Sequence, residues 1–491
     1  MRSKIARWIG ILLALALVAV GIAAWYKLSR EVEQTALKGA PMEAWFKYGS
    51  IGNESNQGIP YWVWRVLPKI FPDYLPNGYD ALGNPWEPGY DVPVGFSKQT
   101  VGFPRVAPNC AFCHVAQYRT QENESPTIVV PGPGNTVNPQ GYASFLTQAA
   151  NDDRFNSDNI LEQIALIYRL SKIDKWFYRY LIIPATKKAL ITTGKQSAWI
   201  QARPTWGLGR VDPVNPFKFN NLHMKDDGTI GNSDIMPLWD IKIYEGDALH
   251  WDGLTTNLHE SITASAIGVG MTYSATANKN LARIENWLQT GVHLPSSPYS
   301  ADKSPDSPYY LDKQLITAGK KIYEDHCAQC HAPQGSRYRT VVALKEVGTD
   351  RHRLDEWTAE TSKRVNNYRG SHSWYQLAFN SWNFEHFRKI WGYLAIPLDG
   401  LWLRGPYLHN GSVPTLWDIL KKPQDRPKVF YRGIDLLDPV NVGFISQGNE
   451  AERIGFRYDT SLLGNSNRGH LFGTNLPEEQ KRALLEYLKT L

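Results

Sequence analysis

The four cysteines of this chain fall into two copies of one short pattern, Cys110, Ala111, Phe112, Cys113, His114 and Cys327, Ala328, Gln329, Cys330, His331. A C-x-x-C-H string is expected by chance roughly 0.0008 times in a chain of this length and composition. Two copies therefore constrain the chain more than any other feature. The chemistry such a string serves is covalent haem attachment: two thiols add to the vinyl groups of one haem, and the adjoining imidazole reaches the iron from the same side. A structural zinc site is the alternative, and it would gather four thiols and imidazoles around one ion. Cysteine pairs 217 residues apart, each with its own histidine, suit two haem c groups better. No cysteine is left for a disulfide.

A length of 491 residues exceeds what one core usually organises, so two domains are expected. The charge balance, 53 Lys+Arg against 47 Asp+Glu, is too even for a dedicated nucleic-acid binder. Residues 8–26 carry no charge and follow Arg2, Lys4 and Arg7. Such a segment just suffices to span a bilayer, or serves as a signal peptide with a poor cleavage site at Gly21, Ile22 and Ala23. The expectation is an N-terminal anchor over residues 1–28, with everything after it on the periplasmic side, or free in the periplasm if cleaved.

From Ile59 to Pro108 the chain is dense in Pro, Gly and aromatics, which predicts structured loops with short helical pieces rather than strands. Residues 157–183 show helical spacing at Ile160, Leu161, Ile164, Ile167 and Leu170, with Ser157 or Asp158 as cap and Pro184 as the stop. A polar, Pro-rich stretch from Ser296 to Pro308 marks a boundary. Beyond it, Leu315, Ala318, Gly319 and Ile322 predict one face of a helix leading into Cys327, and Pro477 opens a last helix with Leu484, Leu485, Leu488 and Leu491 on its stripe. Crossing of these two helices, with Gly319 against Tyr487 or Leu488, would give a cytochrome c layout. The predicted fold is mainly α: a haem c domain over residues 29–300 and a second over 301–491.

Each haem needs its sixth position assigned, because that position separates electron transfer from small-molecule chemistry. No methionine occurs after Met271, so the C-terminal haem must look to histidine: His352, His372, His386, His409 or His470. His470, in a loop just ahead of the last helix, ranks first, and His409 second. Between Val115 and Leu222 there is neither His nor Met. The N-terminal haem is thus expected to be open to O2 or peroxide, unless His223, His250, His259, Met224, Met236, Met271, a tyrosine or a lysine closes it.

Taken together, the strings PNCAFCH, WGLGRVDPVNP, HWDGLTTNLHESITASAIGVG, GPYLHNGSVPTL and GHLFGTNLPEEQ resemble the bacterial di-haem cytochrome c peroxidase superfamily, most closely its rubber oxygenase branch. The resemblance covers roughly residues 58–491. It implies that His114 and His331 are proximal ligands, that Trp251 lies between the haems and shortens the electron path, and that His470 closes the C-terminal haem. Two departures stand out. The C-terminal haem has no methionine to close it as in the peroxidases, and the peroxidase glutamate falls near Gly270, which removes its acid/base group. A polymer substrate does not follow from the resemblance.

The sequence reading is an exported di-haem oxidoreductase in which the C-terminal haem transfers electrons and an open N-terminal haem meets O2 or H2O2. A pure electron carrier with both irons closed and a cytochrome c peroxidase are the alternatives. The expected partners are a periplasmic or membrane electron donor or acceptor, and no nucleic acid.

Overall fold

Helices account for 42% of the computed structural model and strands for 11%; it describes residues 2–239, 241, 246–272, 274–368 and 382–491. His372 lies outside the described residues. The mainly α expectation is thereby corrected to a mixed architecture. Much of the difference comes from the Pro/Gly-rich segment read as loops. Its strands β2 (Ile59–Pro60), β3 (Phe96–Val101) and β4 (Phe103–Pro108) join β1 (Glu31–Val32) in an antiparallel sheet of order β1-β3-β4-β2. In β3 the buried residues are Phe96, Ser97, Gln99 and Val101, drawn from both faces, so no clean alternation marks the strand in sequence. Four further ribbons are built from strands of two to four residues, below the length at which a period of two is readable. The β3–β4 turn needs Gly102: its φ is 72°, and a Cβ there would lie 2.3 Å from the Leu28 carbonyl carbon.

The expected membrane span is also corrected. Residues Arg2–Leu28 form one helix, yet no helix among the described residues is long and apolar enough to cross a membrane.

Two helix boundaries depart from the sequence pattern. Asn156, not Ser157 or Asp158, caps the Ser157–Ala165 helix, its side chain accepting from the Asn159 N–H. That helix buries Ile160, Leu161 and Ile164 and ends before Ile167 and Leu170. Pro184 does not stop a helix either. It lies at the second residue of Ile183–Gln196, directly after the π turn Tyr178–Ile182, and the chain stays helical through it.

In the C-terminal part the expected crossing is present. The Lys313–His326 helix, capped by the Asp312 side chain, packs on Glu478–Leu488. A Cβ at Gly319 would lie 1.9 Å from the Ala483 carbonyl oxygen and 2.9 Å from Tyr487 Cβ, so the backbones approach to a distance only glycine permits. Gly319 and Tyr323 form the buried face, whereas Leu315 and Ala318 point to solvent. The Glu486 carboxylate accepts from the Asp312 N–H at 2.8 Å and ties the start of the first helix to the end of the second.

Three apolar clusters hold the chain. One is drawn from Leu37 to Leu288, and one from Tyr299 to Leu488 together with Ala116 and Trp239. A third joins Val214, Phe217, Leu254 and Ile267 to Trp357, Val365, Phe384 and Phe387, and so uses residues from both sides of position 300. A second tie across that position is Arg119, whose guanidinium donates twice to Asp435 at 2.9 and 2.7 Å. The Arg119 main chain also exchanges bonds with Asp435 and Leu437.

Candidate metal centres

The two motif histidines are held in the same manner. His114 follows a 3-10 turn whose cap, Asn109, accepts from the Ala111 N–H and donates to the carbonyls of Lys47 and Gly49. Its Nδ1 lies 2.9 Å from the Met236 carbonyl oxygen. His331 ends the short helix Ala328–His331, and its Nδ1 lies 2.8 Å from the Ile396 carbonyl oxygen. A carbonyl only accepts, so each Nδ1 carries the proton and each Nε2 keeps its lone pair, the tautomer suited to a metal. Burial pushes His114 down to about 4 and lowers His331, so both rings are neutral. The four cysteines are unpaired thiols. Burial raises them, Cys110 to about 11 and Cys113 and Cys327 to about 12. A cavity of about 450 Å³, within the range of cofactor pockets, opens beside His331 between Tyr323, Tyr338, Leu398 and Tyr487.

Across from His331 stands His470. Its ring centroid is 6.3 Å from that of His331, with the planes tilted by 46°. Two imidazoles bound from opposite sides of one metal, each at about 2 Å, place their centroids roughly 6 Å apart, so the pair fits a shared iron. His470 Nδ1 is buried without a hydrogen-bond partner. The loop that presents it is strained and braced: His470 has φ 48°, its N–H donates to the Val347 carbonyl at 2.7 Å, and Arg426 donates to the carbonyls of Asn467, Gly469 and His470.

His409, the second choice, is held elsewhere. It stacks on Tyr393 at 3.9 Å and 17°, and its carbonyl accepts from the Asp234 N–H. Burial pushes it down to about 3, as befits a neutral packing ring. His352 is bonded to Asp350 and His386 to Glu260. Around His114, His223 and His259 are exposed, and His259 pairs with Glu285 at 2.8 Å. His250 is half-buried: burial lowers it to about 4, Asp252 opposes, Arg353 and then His114 add to the lowering, and its Nε2 is 2.8 Å from Ser261 Oγ. Among the methionines, Met271 is buried in the first core, Met224 packs on the third, and Met236 supplies its carbonyl to His114.

Trp251 is bonded to both segments that hold the motif histidines. Its indole N–H donates to the Asp234 carbonyl at 2.8 Å, two residues from the Met236 carbonyl that holds His114. Its own carbonyl accepts from the Leu394 N–H at 2.8 Å, two residues from the Ile396 carbonyl that holds His331. Sequence reasoning missed Met236 and Ile396, because a main-chain acceptor leaves no trace in residue identity. It also missed the buried charges next to these segments, Arg432 bonded to Asp234 and Arg353 bonded to Asp252 and Ser233.

Among the described residues no cluster of three or more His, Cys, Asp or Glu is arranged as a metal site. The four-ligand zinc alternative therefore has no counterpart there.

Comparison with known proteins adds a class. Residues 392–431, which include Ile396 and His409, match the family model described as RoxA-like, cytochrome c-like. The chain is 29% identical over 238 residues to the uncharacterized protein y4iJ of Sinorhizobium fredii, covering 37% of this chain and 39% of that one. It is 27% identical over 262 residues to the uncharacterized protein y4iM of the same organism, covering 50% of this chain and 56% of that one. The chain thus spans less than two thirds of either relative. The match makes this segment similar to a cytochrome c-like domain, which supports a rubber oxygenase-like cytochrome relationship and haem c as the implied cofactor. The broader resemblance to the peroxidase superfamily has no support from the match.

Proposed function

We propose that the protein is a periplasmic di-haem c-type oxidoreductase, with the C-terminal centre closed for electron transfer and the N-terminal centre open. Cys110 and Cys113 with His114 would hold one haem, and Cys327 and Cys330 with His331 and His470 the other. Haem c, when bound, supplies a one-electron iron couple and, at a free coordination position, a place for O2 or peroxide. The chain's own residues do the positioning. The Met236 and Ile396 carbonyls fix the two proximal rings, Arg426 holds the His470 loop, and Trp251 provides an aromatic link between the segments carrying those carbonyls.

The observation that carries this reading is the 6.3 Å facing pair His331 and His470. Absorption and EPR spectra of the holoprotein test it. Two haems, one low-spin and one able to bind CO, are expected. His470→Ala converts the low-spin signal to high-spin, and His409→Ala leaves it in place. Two low-spin irons, or a low-spin signal untouched by His470→Ala, would contradict the assignment.

The electrostatic influence of His114 on His250 favours a second reading, an electron carrier closed at both centres. In that case His250→Ala, and not the wild type, opens the N-terminal iron to CO.

A further inference from the structure

The net charge of +6 is concentrated in one stretch of the chain. Residues 166–195 hold seven of the 53 Lys+Arg and one of the 47 Asp+Glu, which leaves 46 of each to all the rest. The same stretch carries an apolar surface. Leu166, Tyr168, Ile173, Trp176, Tyr180 and Leu181 are 43–73% exposed. Exposed apolar side chains scattered singly are ordinary, whereas these crowd into residues 166–181 and form a patch.

Helix geometry sorts the two kinds of residue. Lys172–Phe177, the π turn Tyr178–Ile182 and Ile183–Gln196 follow one another without a break. Ile173, Trp176 and Tyr180 recur at steps of three and four and face solvent, while Tyr178, Ile182 and Ile183 are buried on the other side. The Trp176 and Tyr180 rings lie 5.6 Å apart. Lys172, Lys175 and Arg179 form the adjacent row, at the same steps. Arg179 is bonded to Asp158, and Lys187 donates to the Asp152 and Phe155 carbonyls. Arg169, Lys172, Lys175, Lys188 and Lys195 are exposed and have no carboxylate partner among the described residues. The one acid of the stretch, Asp174, is taken by Lys27 at 3.1 Å, so the N-terminal helix leaves the body at the edge of this patch. The described large apolar side chains of that helix between Trp8 and Val18 are exposed as well.

A second copy of the chain does not suit such a face, because a two-fold contact sets the same patch against itself and brings unpaired cations together. An anionic bilayer suits both halves of its composition. Headgroup phosphates take the Lys and Arg ends, Trp and Tyr settle at the boundary with their polar tips outward, and Ile and Leu enter the acyl edge. We propose that residues 166–195 form a lipid-docking face by which the protein lies on an anionic bilayer. The contact is interfacial and requires no helix that crosses. It does not depend on the di-haem reading.

Co-sedimentation of the full-chain protein with vesicles tests the proposal, using phosphatidylcholine alone and equal parts of phosphatidylcholine and phosphatidylglycerol. The wild type binds the mixed vesicles in preference, and added salt weakens the binding. Each cation removed lowers partitioning about fivefold, so Lys172→Gln/Lys175→Gln weakens it about 25-fold. Ile173→Ser/Trp176→Ser weakens it as well and leaves the far-UV circular dichroism unchanged, since both side chains are exposed. Hydrogen–deuterium exchange of the wild type with mixed vesicles shows protection over residues 166–195, and this measurement decides should a variant fail to fold. Equal binding to both vesicles, or none, overturns the proposal. So does binding unchanged in both variants, which would assign the contact to the N-terminal helix alone. A concentration-dependent dimer abolished by Ile173→Ser/Trp176→Ser, with no vesicle-induced protection, assigns the face to a second copy and overturns it too.

Discussion

Replacing Gly319 with alanine should invert an ordinary rule. In the interior of an exposed helix, Gly→Ala stabilises by about 0.5–1 kcal/mol, because alanine loses less backbone entropy on folding. Here the added Cβ would stand 1.9 Å from the Ala483 carbonyl oxygen and 2.9 Å from Tyr487 Cβ, whereas contacts under 3.0 Å essentially never occur. The atom in the way is main chain, so no rotamer change relieves the clash. The Lys313–His326 and Glu478–Leu488 helices must part by roughly 1 Å, which opens voids around Tyr323 and Leu484 in a close-packed interior. Overpacking of this kind costs about 1–3 kcal/mol. For a folding unit of this size, each kcal/mol lowers Tm by about 2–4 °C, so a drop of roughly 2–12 °C is expected. Thermal unfolding of the holoprotein, followed by far-UV circular dichroism and by haem absorbance, measures it. Since the first helix runs directly into Cys327, the haem signal should shift with the secondary structure. A Gly319→Ala protein as stable as the wild type, or more stable, would show that the helices do not meet at this residue.

Two other perturbations test the packing and the tie across position 300. His409, with its folded value near 3 below the unfolded 6.5, is neutral in the folded protein where the unfolded chain takes up a proton. Its contribution is present above about pH 6.5 and is lost as pH falls from there toward 3, at about 1.4 kcal/mol per pH unit once the unfolded histidine is protonated. Denaturant titrations between pH 4.5 and 7.5 should show a shallower acid loss in His409→Phe by about one proton; an identical slope would refute the burial argument. Arg119→Gln should lower stability by about 1–2 kcal/mol by removing a bidentate, charge-assisted pair. Combined with Asp435→Asn the losses should fall short of additive, and a strictly additive double mutant would mean the pair contributes nothing as a pair.

How much of this was legible in the chain depended on where the specificity is written. The Gly319 crossing was readable because it needs the absence of a side chain at a fixed spacing, and the C-x-x-C-H strings stand out in the chain for the same kind of reason, a particular set of side chains at a fixed spacing. The sheet was not. Its longest strands are six residues and buried on both faces, so the period that would mark them is erased. Pro184 misled because the chain stays helical through it, from a π turn into the next helix. The apolar face of the Lys313–His326 helix was misassigned because glycine and tyrosine form its seam while Leu315 and Ala318 stay outside. Asp212, Arg353 and Glu356 gave no signal, since charged residues are ordinarily surface residues and only tertiary structure shows them buried.

The acceptors for His114 and His331 are main-chain oxygens, at Met236 and Ile396. Ring orientation is thus inherited from the path of the backbone, and the side chains at those two positions are released from any duty toward the rings. Met236→Leu and Ile396→Val should therefore be silent in the spectrum of either centre. The line of descent of such a chain could substitute freely at both positions and keep the same two imidazoles in the same orientation.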